Sequence, residues 1–107
     1  MLPCTTPLER EDIALTPKGA YQVAMDRAID PVGEARDDHQ IFRAIAGRMG
    51  VEDSFTEGRS PEDWQRWLYD ISRQQASRRG VEMPDWDRFR EDGWFRVPDP
   101  DKPTVML

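Results

Sequence analysis

Proline placement confines regular helix to the middle of this chain. Pro3, Pro7, Pro17 and Pro31 divide the first 34 residues, with Gly19 and Gly33 between them, and Pro98, Pro100 and Pro103 punctuate the end. Each proline lacks a backbone donor and pushes its predecessor toward extended geometry. No long helix fits before residue 34. The run Tyr21-Gln22-Val23-Ala24-Met25 reads as a short strand, with Tyr21, Val23 and Met25 on one side at a period of two, and Ala28 and Ile29 as a possible extension.

Between the prolines, three helices are legible from their end signals. The first is expected over Asp38–Met49: Asp37 caps it, Ile41, Phe42, Ile45 and Met49 form one apolar stripe, and Gly50 ends it in a left-handed conformation. The second opens on Ser60-Pro61-Glu62-Asp63, an N-cap, a proline in the first turn and a near match to a capping box. It is expected to run to about Arg79 and stop at Gly80, with Trp64, Trp67, Leu68 and Ile71 as its core-facing side and Arg73, Arg78 and Arg79 complementing its dipole. A short third helix fits Pro84–Glu91, capped by Asp85, packed through Trp86 and Phe89 and ended by Gly93. Trp94–Val97 then reads as a brief extended segment. The expected fold class is α/β and mostly helical: an extended N-terminal part with a short strand, then about three helices.

Composition limits how much core these elements can close. Leu, Ile, Val and Phe supply 20 of 107 residues, near the share below which chains stay unfolded or lean on a larger body. Four Trp and five Met add buried area in large units. The net charge of −6 gives no basic footprint for nucleic acid and no attraction to an anionic membrane surface. No apolar run is long enough to span a bilayer. MLPCTTPLERED has neither the basic start nor the apolar centre of a signal peptide. A single cysteine, Cys4, excludes an internal disulfide and leaves the compartment, cytoplasmic or periplasmic, open.

Most polar residues have an ordinary reading. His39 sits beside Asp37 and Asp38 with no nucleophile near it in sequence, and reads as a solvated surface histidine rather than a general base. The carboxylates Asp26, Asp30, Glu34, Asp37 and Asp38 lack calcium-loop spacing and read as a solvated acidic face. Arginines between Arg66 and Arg79 are countered by Glu62, Asp63 and Asp70. The exception is Thr5-Thr6-Pro7-Leu8-Glu9-Arg10-Glu11-Asp12, where hydroxyls, an arginine and three acids share a proline-restrained segment. A fixed loop loses little entropy on binding. Arg10 offers a planar donor fork, Glu9 and Asp12 offer acceptors, and Arg10 can equally pair internally with Asp12 or Asp37.

The ordered set LPCTTPLEREDIALT, Pro31-Val32-Gly33-Glu34-Ala35-Arg36-Asp37-Asp38 with Ile41-Phe42, Phe55-Thr56-Glu57-Gly58-Arg59, Leu68-Tyr69-Asp70 and Met83-Pro84-Asp85 resembles the DMSO/TMAO/biotin-sulfoxide reductase family, closest to the biotin sulfoxide reductase branch. The resemblance covers nearly the whole chain, to about residue 97. It implies a molybdenum enzyme reducing S-oxides or N-oxides, with the metal held by two molybdopterin guanine dinucleotides. It implies further that Thr6, Glu9, Arg10 and Asp12 lie near that cofactor. The family's serine metal ligand falls upstream of this segment, so no catalytic or metal-ligating residue is expected here. Cys4 stands where the family commonly has alanine.

On that resemblance, residues 1–97 are expected to be part of an α/β domain and 98–107 a tail or a connection to the next domain. The chain would be an internal segment of a larger oxidoreductase, inactive and cofactor-free alone, whose partner is the remainder of that enzyme in the same or a separate chain. Neither nucleic acid nor membrane is expected as a partner. The competing class is a self-contained acidic helical module that binds a protein through its Trp face. Guanine-nucleotide or pterin binding by the Thr5–Asp12 loop alone is a third.

Overall fold

The prolines act as expected: before residue 38, the described helical structure is a single 3-10 turn at Pro7–Glu9. A computed structural model describes residues 2–16 and 20–98. Expectations for Pro17, Gly19 and residues 99–107 lie outside the described residues.

Strands β1 (Asp12–Leu15), β2 (Tyr21–Met25) and β3 (Trp94–Arg96) form an antiparallel sheet in the order β1-β2-β3. Strand β2 has the bounds read from the sequence. Ala28 and Ile29 do not extend it; their backbone N–H groups donate instead to the Leu8 carbonyl at 2.8 and 3.1 Å. Strand β1 has no signal in the sequence, because Ile13-Ala14-Leu15 carries no polar alternation.

Four helices follow: α1 (Asp38–Arg48), α2 (Glu52–Thr56), α3 (Pro61–Ser77) and α4 (Trp86–Asp92). The caps read from sequence are present. Asp37, Ser60 and Asp85 accept from the N–H groups of Gln40, Asp63 and Arg88, and Asp63 returns the bond to Ser60. Gly50 and Gly93 close α1 and α4 at φ of 74° and 78°. The five-residue α2 lacks a capping side chain, and nothing in its sequence announced it.

The helix faces are where the expectations need correction. The core is Tyr69, Met83, Trp86 and Phe89, with Ile13, Ala24, Ala76, Val81 and Phe95 packed against it. Helix α3 buries Tyr69 in place of the expected Trp stripe; Trp67 and Leu68 stay exposed. Helix α1 buries only Ala46, while Phe42 is 57% and Met49 71% exposed. In the sheet, register puts Ile13, Ala24 and Phe95 on the face toward the core. The apolar side read from sequence (Tyr21, Val23, Met25) is the opposite face, where the Tyr21 and Trp94 rings meet at a tilt of 52° with centroids 5.7 Å apart and remain exposed. Amphipathic periodicity identifies an apolar face but not what covers it. Here one layer of helix covers one face of the sheet, and the other apolar faces lie open. The radius of gyration is 16.8 Å, against about 13 Å for a compact chain of ~100 residues.

Candidate functional site

The Thr5–Asp12 loop is held by a single carboxylate. Glu9 is buried; its Oε2 accepts from the Thr6 N–H at 2.7 Å and the Thr6 hydroxyl at 2.8 Å, and its Oε1 accepts from the Val32 N–H at 2.6 Å. These bonds, led by the Thr6 backbone N–H, hold the Glu9 carboxyl below the usual carboxylate range. On the other side, Thr5 donates its N–H to the Arg36 carbonyl at 3.0 Å, beside a parallel bridge between Cys4 and Arg36. The loop is therefore pinned to residues 28–36 from both edges.

The sequence-predicted residues fall into two pairs. Thr6 and Glu9 are engaged with each other and with Val32, so they shape the loop. Arg10 and Asp12 form the second pair, with Arg10 Nη2 lying 3.0 Å from Asp12 Oδ2. This decides the open pairing for Asp12. Asp37 instead caps α1 through the Gln40 N–H. Arg10 Nε is buried without a hydrogen-bond partner.

A pocket of about 600 Å³ opens beside this loop. The starts of α1 and α3 complete its walls with Asp38, His39, Glu62 and Trp64. Gln65 ties α3 to the loop by donating to the Glu11 carbonyl at 3.0 Å. The lining is acidic: Glu9, Glu11, Asp12, Asp37, Asp38 and Glu62 stand against Arg10 and Arg27, and Arg27 pairs with Asp30 at 3.3 Å. Such a lining favours N–H donors and disfavours phosphate.

The structure also brings to the pocket residues that were given no site role in the sequence reading. Thr5 is 8% exposed and its hydroxyl has no partner among the described residues. His39 is not a solvated surface residue: both ring nitrogens are buried and unpartnered, and the ring packs 5.3 Å from Phe55. Asp38, Glu62 and Trp64 reach the pocket from positions distant in sequence, for which no local signal exists. Trp64 and Trp67 meet edge to face, and the Arg59 guanidinium sits 4.5 and 4.9 Å from their rings. That arrangement closes the turn before α3 by cation–π attraction. Cys4 is exposed. Among the described residues, no group of His, Cys, Asp and Glu is arranged to hold a metal ion, and no helix is long and apolar enough to cross a membrane.

The family model described as molybdopterin oxidoreductase matches residues 1–48. The chain is 44% identical over 99 residues to a biotin sulfoxide reductase of Cereibacter sphaeroides, covering 92% of this chain and 13% of that protein. It is 39% identical over 102 residues to a dimethyl sulfoxide/trimethylamine N-oxide reductase of Rhodobacter capsulatus, covering 92% and 12% respectively. Against dimethyl sulfoxide reductase DmsA of Escherichia coli it is 36% identical over 103 residues, covering 94% and 12%. The chain thus spans about an eighth of the length of these curated relatives.

Proposed function

By sequence this chain belongs with the sulfoxide and N-oxide reductases of the molybdopterin oxidoreductase family, and from that premise we propose that it serves as one segment of a larger molybdenum-dependent S-oxide or N-oxide reductase. In this reading it contributes a cofactor-proximal loop and the helices that brace it, and does not turn over substrate alone. Its partner is the remainder of the oxidoreductase, in the same or a separate chain. The observation that carries the reading is the set of uncovered apolar faces: the α1 stripe of Phe42, Ile45 and Met49, and the outer face of the sheet at Tyr21 and Trp94. Exposed apolar surface of this extent marks contact with other protein.

Thr6, Glu9, Arg10 and Asp12 are the residues we assign to the surroundings of the molybdopterin guanine dinucleotide. The loop fits a polar heterocycle. Arg10 keeps a buried donor at Nε, and its Asp12 partner is a half-exposed acceptor. The carboxylates around them do not fit a diphosphate, so that part of the cofactor is not assigned to this loop. Thr6 and Glu9 act as positioning residues, fixing the backbone from which Arg10 and Asp12 project. When bound, the cofactor supplies the molybdenum at which oxygen-atom transfer takes place.

The test is a chimera. The aligned segment of the Cereibacter sphaeroides biotin sulfoxide reductase is replaced by this chain, and reductase activity and molybdenum content are measured. The expected result is an active, metal-loaded chimera whose molybdenum content falls on Arg10→Ala. A folded, soluble chimera without molybdenum, or one indifferent to Arg10→Ala, overturns the assignment.

A further inference from the structure

The segment that carries Arg10 and Asp12 is gripped from far along the chain. Three side-chain hydrogen bonds join residues 54, 64 and 65 positions apart, and all three end beside Asp12. Gln65, on α3, donates from Nε2 to the Glu11 carbonyl at 3.0 Å. Arg90, on α4, donates to the Met25 carbonyl at 3.3 Å and to the Asp26 carboxylate at 2.6 Å. The same guanidinium lies 3.9 Å from the Glu11 carboxylate. Glu11 stands between Arg10 and Asp12 in the chain, and Met25 is the partner of Asp12 in the β1–β2 register. Two helices thus hold the peptide within the pair and the strand opposite it. Arg90 also lies over the ring of Trp86, a core residue, at 5.8 Å, so its grip is tied to the core. Ordering a glutamine side chain costs about as much as one exposed hydrogen bond returns. The Gln65 bond therefore adds little net stability, and its consequence is placement.

We propose that Gln65 and Arg90 are positioning residues for the Arg10–Asp12 pair, holding the entry to β1 where Arg10 donates to the cofactor heterocycle and Asp12 accepts from it. The proposal rests on reading that pair as cofactor-proximal, and it adds the two distant side chains on which the placement depends. Neither is assigned to touch the ligand. The bonds of Glu9 to Thr6 and Val32 fix the segment on its N-terminal side. Gln65 and Arg90 fix it on the C-terminal side, so Arg10 lies between two anchored points. Hydrogen bonds weaken steeply with misalignment, so a donor freed at one end loses strength toward a rigid ligand even though its own side chain is intact.

The test uses the biotin sulfoxide reductase chimera together with the full 107-residue chain. Gln65→Met keeps the length of the side chain and removes the donor. Arg66→Met, on the next position of α3, breaks an ion pair with Asp87 that does not reach the loop, and serves as the control. Gln65→Met is expected to lower the molybdenum content of the folded chimera about three- to tenfold, and Arg66→Met to leave it unchanged. Added to Arg10→Ala, Gln65→Met is expected to cause no further loss, because it acts through that pair. In the isolated chain, Gln65→Met is expected to keep the melting midpoint close to that of the unsubstituted chain and to shift the Arg10 Nε–H signal in NMR. Arg90→Lys, which keeps the charge and loses the fork, is expected to shift the same signal. Molybdenum lowered by Arg10→Ala and not by Gln65→Met, further loss in the double variant, equal loss with Arg66→Met, or an Arg10 signal that neither variant moves overturns the positioning role and leaves the cofactor-proximal loop standing. Molybdenum indifferent to Arg10→Ala overturns the loop assignment itself, and the positioning role falls with it.

Discussion

Glu9 accepts a 2.6 Å hydrogen bond from the Val32 N–H while holding both the N–H and the hydroxyl of Thr6. A carboxylate at the foot of the loop thereby joins segments 23 residues apart. Two of the three partners are backbone N–H donors, so the ionised form accepts from them more strongly than the acid form does. The segment that carries Arg10 is therefore fixed by a charge that acid removes.

Glu9 has its carboxyl held below its usual value by the Thr6 and Val32 N–H groups. For a depressed acid the stabilisation is present above the unfolded value, ~4.3, and is lost as pH falls through the folded one. Thermal melts of the chain should therefore drop in midpoint on acidification below about pH 4.3. Glu9→Gln should melt lower at neutral pH, and its curve should converge with the unsubstituted one in acid.

Tyr69 behaves in the opposite sense. Burial pushes its hydroxyl up to about 12, and that hydroxyl donates to the Pro84 carbonyl at 3.0 Å. The folded state thus keeps a proton that the unfolded chain gives up near pH ~10. Stability should fall as pH rises from about 10 toward 12. Tyr69→Phe should lose about 1 kcal/mol at neutral pH and remove this alkaline decline, as read by urea unfolding at pH 7 and at alkaline pH.

Gly93 ends α4 at φ of 78° with open space where a Cβ would lie. Gly93→Ala therefore reports backbone strain alone. It should cost about 1–2 kcal/mol in urea unfolding, with little change in the helical circular dichroism signal.

The uncovered and covered apolar residues should respond differently. Phe89 is fully buried, stacked 4.6 Å from Tyr69, and Phe89→Ala should cost about 3–5 kcal/mol or abolish folding. Phe42→Ser and Ile45→Ser, on the open stripe of α1, should leave the isolated chain within about 0.5 kcal/mol. The same two changes should reduce the yield of a loaded chimera. Comparable destabilisation of the isolated chain by Phe42→Ser and Phe89→Ala would show that α1 is covered after all.

The sequence by itself determined the local structure. Asp37, Ser60 and Asp85 started their helices, Gly50 and Gly93 ended theirs, and the prolines kept the N-terminal part extended. Each of these signals acts through groups within a few residues, so adjacent letters suffice to read them. Helix α2 escaped because it has no capping side chain.

Tertiary structure decided what faces what. Tyr69 rather than Trp67 entered the core, Ala24 rather than Val23 turned inward, and His39 was enclosed against Phe55 rather than solvated. The loop residues were visible in sequence as a polar cluster. The pocket was not, because Asp38, Glu62 and Trp64 meet Thr5 only after α1 and α3 have packed beside the loop. Burial depends on which surfaces come together, and that is set by contacts between residues far apart in the chain, which local periodicity does not encode.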